Sequence, residues 1–146
     1  MSTSEVHAAV QRAEAARLLH GPKLNNRPNY SAMEEFLVHG LKYAFPAERG
    51  ALTRGVPTSY AAEPLRSKFA QGNEPVPVWP SERGTERGVA FAPLYRTAAA
   101  SALRDPIFHE YLALADALRD GRIRERKAAE SELHRRFQQA NAEHKP

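Results

Sequence analysis

Six histidines, at positions 7, 20, 39, 109, 134 and 144, are the side chains best suited to ligate a metal or move a proton near neutral pH. Ligation needs convergent spacing such as H-E-x-x-H or a cysteine partner; none of the six stands in such a frame, and the chain has no cysteine. Ser59, Ser67 and Ser101 lie outside the G-x-S-x-G and S-x-x-K frames that activate a serine. The eight glycines form neither G-x-G-x-x-G nor a Walker loop. Asp116 and Asp120 are spaced one helical turn apart, yet Arg119 and Arg122 beside them read as ion-pair partners on a solvated helix end. Arg54, Thr58, Ser59 and Tyr60 share the phrase LTRGVPTSYA, a Gly- and Pro-fixed loop of the kind that carries binding residues or turn chemistry. No catalytic constellation emerges, so a binding protein with no metal and no cofactor is expected rather than an enzyme.

The chain carries 21 Lys and Arg against 17 Asp and Glu, a formal net charge of +4, and the distribution matters more than the total. Residues 1–60 hold seven cations against five acids, 61–97 five against four, and 98–146 nine against eight, so there is no basic tail. The one local excess is Arg17, Lys23 and Arg27, with His20 among them, where no acid intervenes between Glu14 and Glu34. Three cations on one short segment suit phosphates as well as they suit surface solvation.

That segment follows the best-marked helix of the chain, STSEVHAAVQRAEAARLL. Ser2 and Glu5 form a capping box that starts the helix at Thr3. Val6, Ala9, Val10 and Ala13, then Leu18 or Leu19, recur at three- and four-residue intervals, while Ser4, Glu5, His7, Ala8, Gln11 and Arg12 occupy the other faces. The pattern S-x-S-x-V-x-x-A-V-x-x-A-x-x-A-x-L-L resembles the recognition helix of winged helix-turn-helix regulators of the MarR- and GntR-like kind. The resemblance implies that Ser2, Thr3 and Ser4 meet phosphate or base edges, that His7, Gln11 and Arg12 face bases, and that Arg17, Lys23 and Arg27 pair with flanking phosphates. A recognition helix is normally second, after a helix crossing the phosphate backbone; only Met1 precedes Ser2, so the scaffold is expected from an upstream segment or another chain.

The remaining elements follow from breakers and periodicity. HGPKLNNRPN reads as a loop with a turn at Asn25 and Asn26. Ser31 and Glu34 predict a second capping box, opening a helix with Met33, Phe36, Leu37, Leu41 and Ala44 on one stripe and ending at Pro46. Residues 46–96 hold seven of the eleven prolines, which excludes long helices. There, Gly50 and Gly55 bracket a tight turn or short strand, and Pro75–Trp79 and Gly88–Tyr95 alternate as two short strands joined by the polar turn SERGTER. Helix resumes near Thr97 and restarts at Asp105-Pro106, with Ile107, Phe108, Tyr111, Leu112, Leu114, Ala115 and Leu118 on one broad face up to Gly121. From Arg122 a thin stripe of Ile123, Leu133, Phe137 and Ala140 runs along a highly charged helix that must lie on the surface or meet a partner. The expected core is Val6, Val10, Leu18, Phe36, Leu37, Leu41, Ile107, Phe108, Tyr111, Leu112, Leu114 and Leu118.

These readings converge on a mainly α chain with a few short β-strands (α+β). Its expected parts are an incomplete winged-helix-like segment over 1–45, a Pro-rich extended middle over 46–96, and a C-terminal helical hairpin over 97–146 that forms one compact unit with the middle. The expected function is DNA-binding transcription regulation, antitoxin-like, with double-stranded DNA as partner and dimerisation through the C-terminal helices. The alternative is a protein-interaction module, antitoxin or adaptor, that holds a partner through the Pro-rich middle and the last helix without binding DNA by itself. No apolar run nears the roughly 20 residues that span a bilayer, and the N-terminus lacks a signal-peptide pattern. A cytoplasmic protein without membrane contact is therefore expected, which the missing cysteines suit.

Overall fold

A computed structural model describes residues 1–145. Helix α1 spans Thr3–Ala15 and opens as its sequence demands, with the Ser2 hydroxyl accepting from the Glu5 amide and the Glu5 carboxylate accepting from the Ser2 amide. Arg17 then turns the chain at φ 60°, and Pro22–Leu24 form a single 3-10 turn. Asn25 and Asn26 follow in the left-handed region that asparagine tolerates, at φ 53° and 52°, bringing Leu19 beside Pro28 in one antiparallel bridge.

The next helix is capped by Asn29 rather than Ser31. The Asn29 side chain accepts from the Ala32 amide, so the helix starts at Tyr30 and leaves Ser31 inside its first turn. It continues as one rod through α2 (Tyr30–Glu35), a π-helical turn (Phe36–Gly40) and α3 (Leu41–Ala44), and it stops before Pro46.

The proline-rich middle contains a longer strand than its turn residues suggest. Strand β1 runs over Arg49–Pro57, and β2 (Pro77–Pro80) and β3 (Glu86–Phe91) lie within a few residues of the two expected strands. Both pair antiparallel with β1, Gly55 facing Pro80 on one side and Glu86 on the other, so β2 and β3 run parallel and close a three-stranded barrel. A barrel this small brings backbones close together, and that explains Gly55, which bracketed an expected turn or short strand, and Gly88, which opened an expected strand. A Cβ on Gly55 would stand 2.1 Å from the Trp79 carbonyl oxygen, and one on Gly88 would stand 2.0 Å from that of Val76.

Three helices complete the fold: α4 (Ala98–Arg104), α5 (Pro106–Asp120) and α6 (Ile123–Glu143). Asp105 caps α5 with Pro106 in its first turn, and Gly121 ends it, as the sequence predicts. The last two helices form a hairpin, with Arg136 of α6 bonded to Glu110 of α5 and the Phe137 ring 6.2 Å from Tyr111. Helix α5 divides two hydrophobic clusters. Leu65, Leu114, Leu118, Leu133 and Phe137 form the helical one, with Tyr30, Met33, Leu37 and Tyr111 around it; Val56, Trp79, Phe91 and Ala102 form the barrel one, with Leu112 against it.

Three expected core residues lie outside. Val6 is 46% exposed, because α1 fully buries none of its residues, and Ile107 and Phe108 are 66% and 45% exposed in the first turn of α5. Leu41, Leu114 and Leu118 are buried as expected, while Val10, Leu18, Phe36, Leu37, Tyr111 and Leu112 are half-buried. The stripe on α6 splits: Leu133 and Phe137 enter the chain's own core and need no partner, whereas Ile123 remains 63% exposed.

Candidate nucleic-acid interface

The capping box fixes where α1 starts, and the 3.6-residue repeat then sorts its side chains by face. Thr3, His7 and Gln11, spaced by four, share a solvent face with Ser4, while Glu5, Ala9 and Ala13 turn inward and are half-buried. Arg12 stands exposed at the edge of that face. The Ser2 hydroxyl is engaged, accepting from the Glu5 amide and lying 3.0 Å from the Ser4 hydroxyl.

The inward face is pinned by polar contacts rather than by packing. Glu5 Oε1 accepts from the Tyr95 hydroxyl at 2.9 Å and from Arg96 at 2.7 Å, tying the start of α1 to the segment before α4. The Ser2 amide, the Tyr95 hydroxyl and the Ser2 hydroxyl, with Arg96, hold the Glu5 carboxyl down at about 2 against its ordinary 4.5. Sequence alone assigned Glu5 only its capping role.

The basic segment is divided by the fold. Arg17 and Lys23 are exposed and make no ion pair among the described residues. Arg27 is half-buried and donates to the backbone and side-chain oxygens of Asn141, at 3.4 and 3.3 Å, which docks the loop on the end of α6. His20, Arg27 and Lys145 line one hollow of about 340 Å³, so a cation from the far end of the chain joins Arg27 there.

A second polar cluster was misread in the sequence. Asp116 is 1% exposed, far from the solvated helix end that its charged neighbours suggested. Its Oδ2 accepts from the Thr58 hydroxyl at 2.7 Å and from Trp79 Nε1 at 2.8 Å, and its Oδ1 accepts from Arg119 at 2.8 Å. Arg119 also donates to the backbone carbonyls of Phe45, Pro46 and Ala92. Trp79 Nε1 and the guanidinium can only donate, so the ionised carboxylate is the form they satisfy, even though burial pushes its pKa up. His109 extends the cluster, its Nε2 lying 2.7 Å from the Pro57 carbonyl and its ring 5.4 Å from Trp79. Thr58 and Ser59, candidate loop binders by sequence, are 0% and 3% exposed, and Thr58 belongs to this joint. The buried Thr58, Trp79, Asp116 and Arg119 side chains fasten α5 to the barrel, with half-buried His109 at the edge of the joint.

Among the described residues there is no group of three potential metal ligands, and no helix is long and apolar enough to cross a membrane. Asp120 pairs with Arg49, and His134 Nδ1 lies 2.7 Å from a Glu34 oxygen, two surface contacts between distant parts of the chain. No family model, curated protein or solved structure matches the chain.

One ion-pair network gives the fold a pH dependence. Glu132, on α6, accepts from Arg135 and Arg136 and lies 3.7 Å from Lys68; the Arg135 hydrogen bonds, followed by those of Arg136, hold its carboxyl at about 2 instead of 4.5. The folded state therefore binds this proton less readily than the unfolded chain, so the stabilisation is complete above about 4.5 and fades as pH falls toward 2. Denaturant midpoints of the wild type and Glu132→Gln should differ at pH 6, with the difference shrinking below about 4.5 and vanishing only as pH falls below about 2. A constant difference across that range would assign the effect of the substitution to shape rather than charge.

Proposed function

We propose that this chain is a DNA-binding transcription regulator of winged helix-turn-helix type that reads duplex DNA through α1. The observation that carries the reading is a capped helix whose polar face, Thr3, Ser4, His7 and Gln11, is exposed. A helix inserted in the major groove needs such a face, with side chains free to meet base edges. His7, Gln11 and Arg12 make no side-chain hydrogen bond or ion pair among the described residues, so none must be broken before they contact DNA. Glutamine suits adenine and arginine suits guanine, each through a bidentate contact. Arg17 and Lys23 supply phosphate contacts at the C-terminal end of the helix, and the Ser2, Thr3 and Ser4 end supplies them at the other. Arg27 contributes its charge from a position already tied to Asn141.

The test is duplex binding by the full chain, first with an operator selected from a random pool. Gln11→Ala and Arg12→Ala should each lower affinity for the selected operator by roughly 1–3 kcal/mol and leave random duplex binding nearly intact. Lys23→Ala should weaken both duplexes alike and reduce the salt slope by about one unit. Equal weakening of both duplexes by all three substitutions, or no duplex binding at low salt, overturns the reading.

One observation favours the second reading, a protein-interaction module of antitoxin or adaptor type. Leu103, Ile107 and Phe108, at the junction of α4 and α5, are 47%, 66% and 45% exposed. Exposed apolar residues grouped in sequence suit a protein partner, including a second copy of this chain. Sedimentation of the wild type against Ile107→Glu separates a self-associating chain from one whose patch meets a different protein.

A further inference from the structure

A cleft of about 970 Å³ opens between the first turn of α6 and the segment from Lys68 to Val76. Its lining is mixed, with the Tyr60 and Phe69 rings, Val76 and the exposed side chain of Ile123 as its apolar part. Its rim carries four cations, Lys68, Arg122, Arg124 and Arg126, against two acids, Glu74 and Glu125. Both acids are already engaged. Glu125 accepts from the Arg122 amide at 2.9 Å, and Glu74 meets the Arg122 guanidinium at 3.1 Å in a pair exposed on both sides, which a ligand anion can displace at little cost. Arg126 forms no ion pair among the described residues. Arg124, an exposed side chain, lies over the Phe69 ring, 5.9 Å from its centroid, so a ligand ring on that face takes the place the guanidinium now holds. The size falls within the range of small-molecule sites, roughly 300–1,000 Å³.

We propose that this cleft binds a phosphorylated ligand bearing a planar ring, of the mononucleotide class, with the ring against Phe69 and Tyr60 and the phosphate at Arg122 and Arg126. Arg122, at the N-cap of α6, and Arg126, in its first turn, both line the cleft, and a phosphate seated there meets guanidinium donors suited to bidentate contact. A purely apolar ligand would partly desolvate Arg126, which has no ion pair among the described residues, and a bare anion would make no contact with the Tyr60 and Phe69 rings. None of these residues lies on α1, so this inference stands or falls apart from the DNA reading.

The test is titration calorimetry of the full chain at low ionic strength with AMP, adenosine and inorganic pyrophosphate as separate probes. AMP should bind saturably at one site, with adenosine and pyrophosphate each about tenfold weaker or worse, because each lacks one half of the recognition. Arg126→Ala, at a position whose loss leaves the core untouched, should weaken AMP about tenfold while leaving adenosine unchanged. Thermal midpoints and circular dichroism check that the variant folds, and Arg122→Ala serves as the second variant with the same expected loss. Absence of AMP binding, pyrophosphate binding as tightly as AMP, or AMP affinity unchanged in both arginine variants overturns the proposal.

Discussion

Asp116→Ala is expected to lower folding stability by about 3–5 kcal/mol, because it leaves the Arg119 guanidinium buried without its counter-charge. The carboxylate is the only acid within the joint formed by Thr58, Trp79 and Arg119, and three donors converge on its two oxygens. Removing it strands the Trp79 and Thr58 donors in a site that is closed to water. Denaturant midpoints read the loss. Arg119→Met should cost a comparable amount alone, and the double substitution Asp116→Ala with Arg119→Met should cost less than the sum, because no uncompensated charge then remains. An additive double variant would mean that the two groups do not act as a pair.

Phe137→Ala is the second large effect, with an expected cost of about 3–5 kcal/mol. The ring is 6% exposed and packs 5.2 Å from Tyr30 and 6.2 Å from Tyr111, so it fastens α6 to α2 and to α5 together. Truncation leaves a cavity bounded by aromatic rings on two different helices, which cannot easily collapse into it. Ile123→Ala, on the same helix and on the same sequence stripe, should shift the midpoint little, since its side chain is 63% exposed. The contrast checks which part of the α6 stripe belongs to the core. Equal losses at Phe137 and Ile123 would contradict the packing described above.

The sequence alone was enough for most features that depend on near neighbours, the cap of α2, on Asn29 instead of Ser31, being the exception. Ser2 and Glu5 specify the start of α1, Asp105 and Pro106 the start of α5, and Pro46 the end of the second helical rod, because capping and proline geometry act within a single turn. The α+β class, the approximate places of β2 and β3 and the polar face of α1 were likewise legible, since periods of 2 and 3.6 residues are local properties.

What the tertiary structure decided was burial and partnership between residues far apart in the chain. Asp116 looked solvated because Arg119 and Asp120 stand beside it, but its environment is set by Thr58 and Trp79, 58 and 37 residues away. Gly55 bracketed an expected turn or short strand and Gly88 opened an expected strand, but that the barrel's close backbone approach excludes a side chain at both is a tertiary fact. Arg27 looked like a free phosphate partner, and Asn141, 114 residues distant, holds it. The cleft of Tyr60, Phe69 and Arg126 draws on three separate segments and has no sequence signature, since a periodic pattern records which face of an element is apolar but not what it meets.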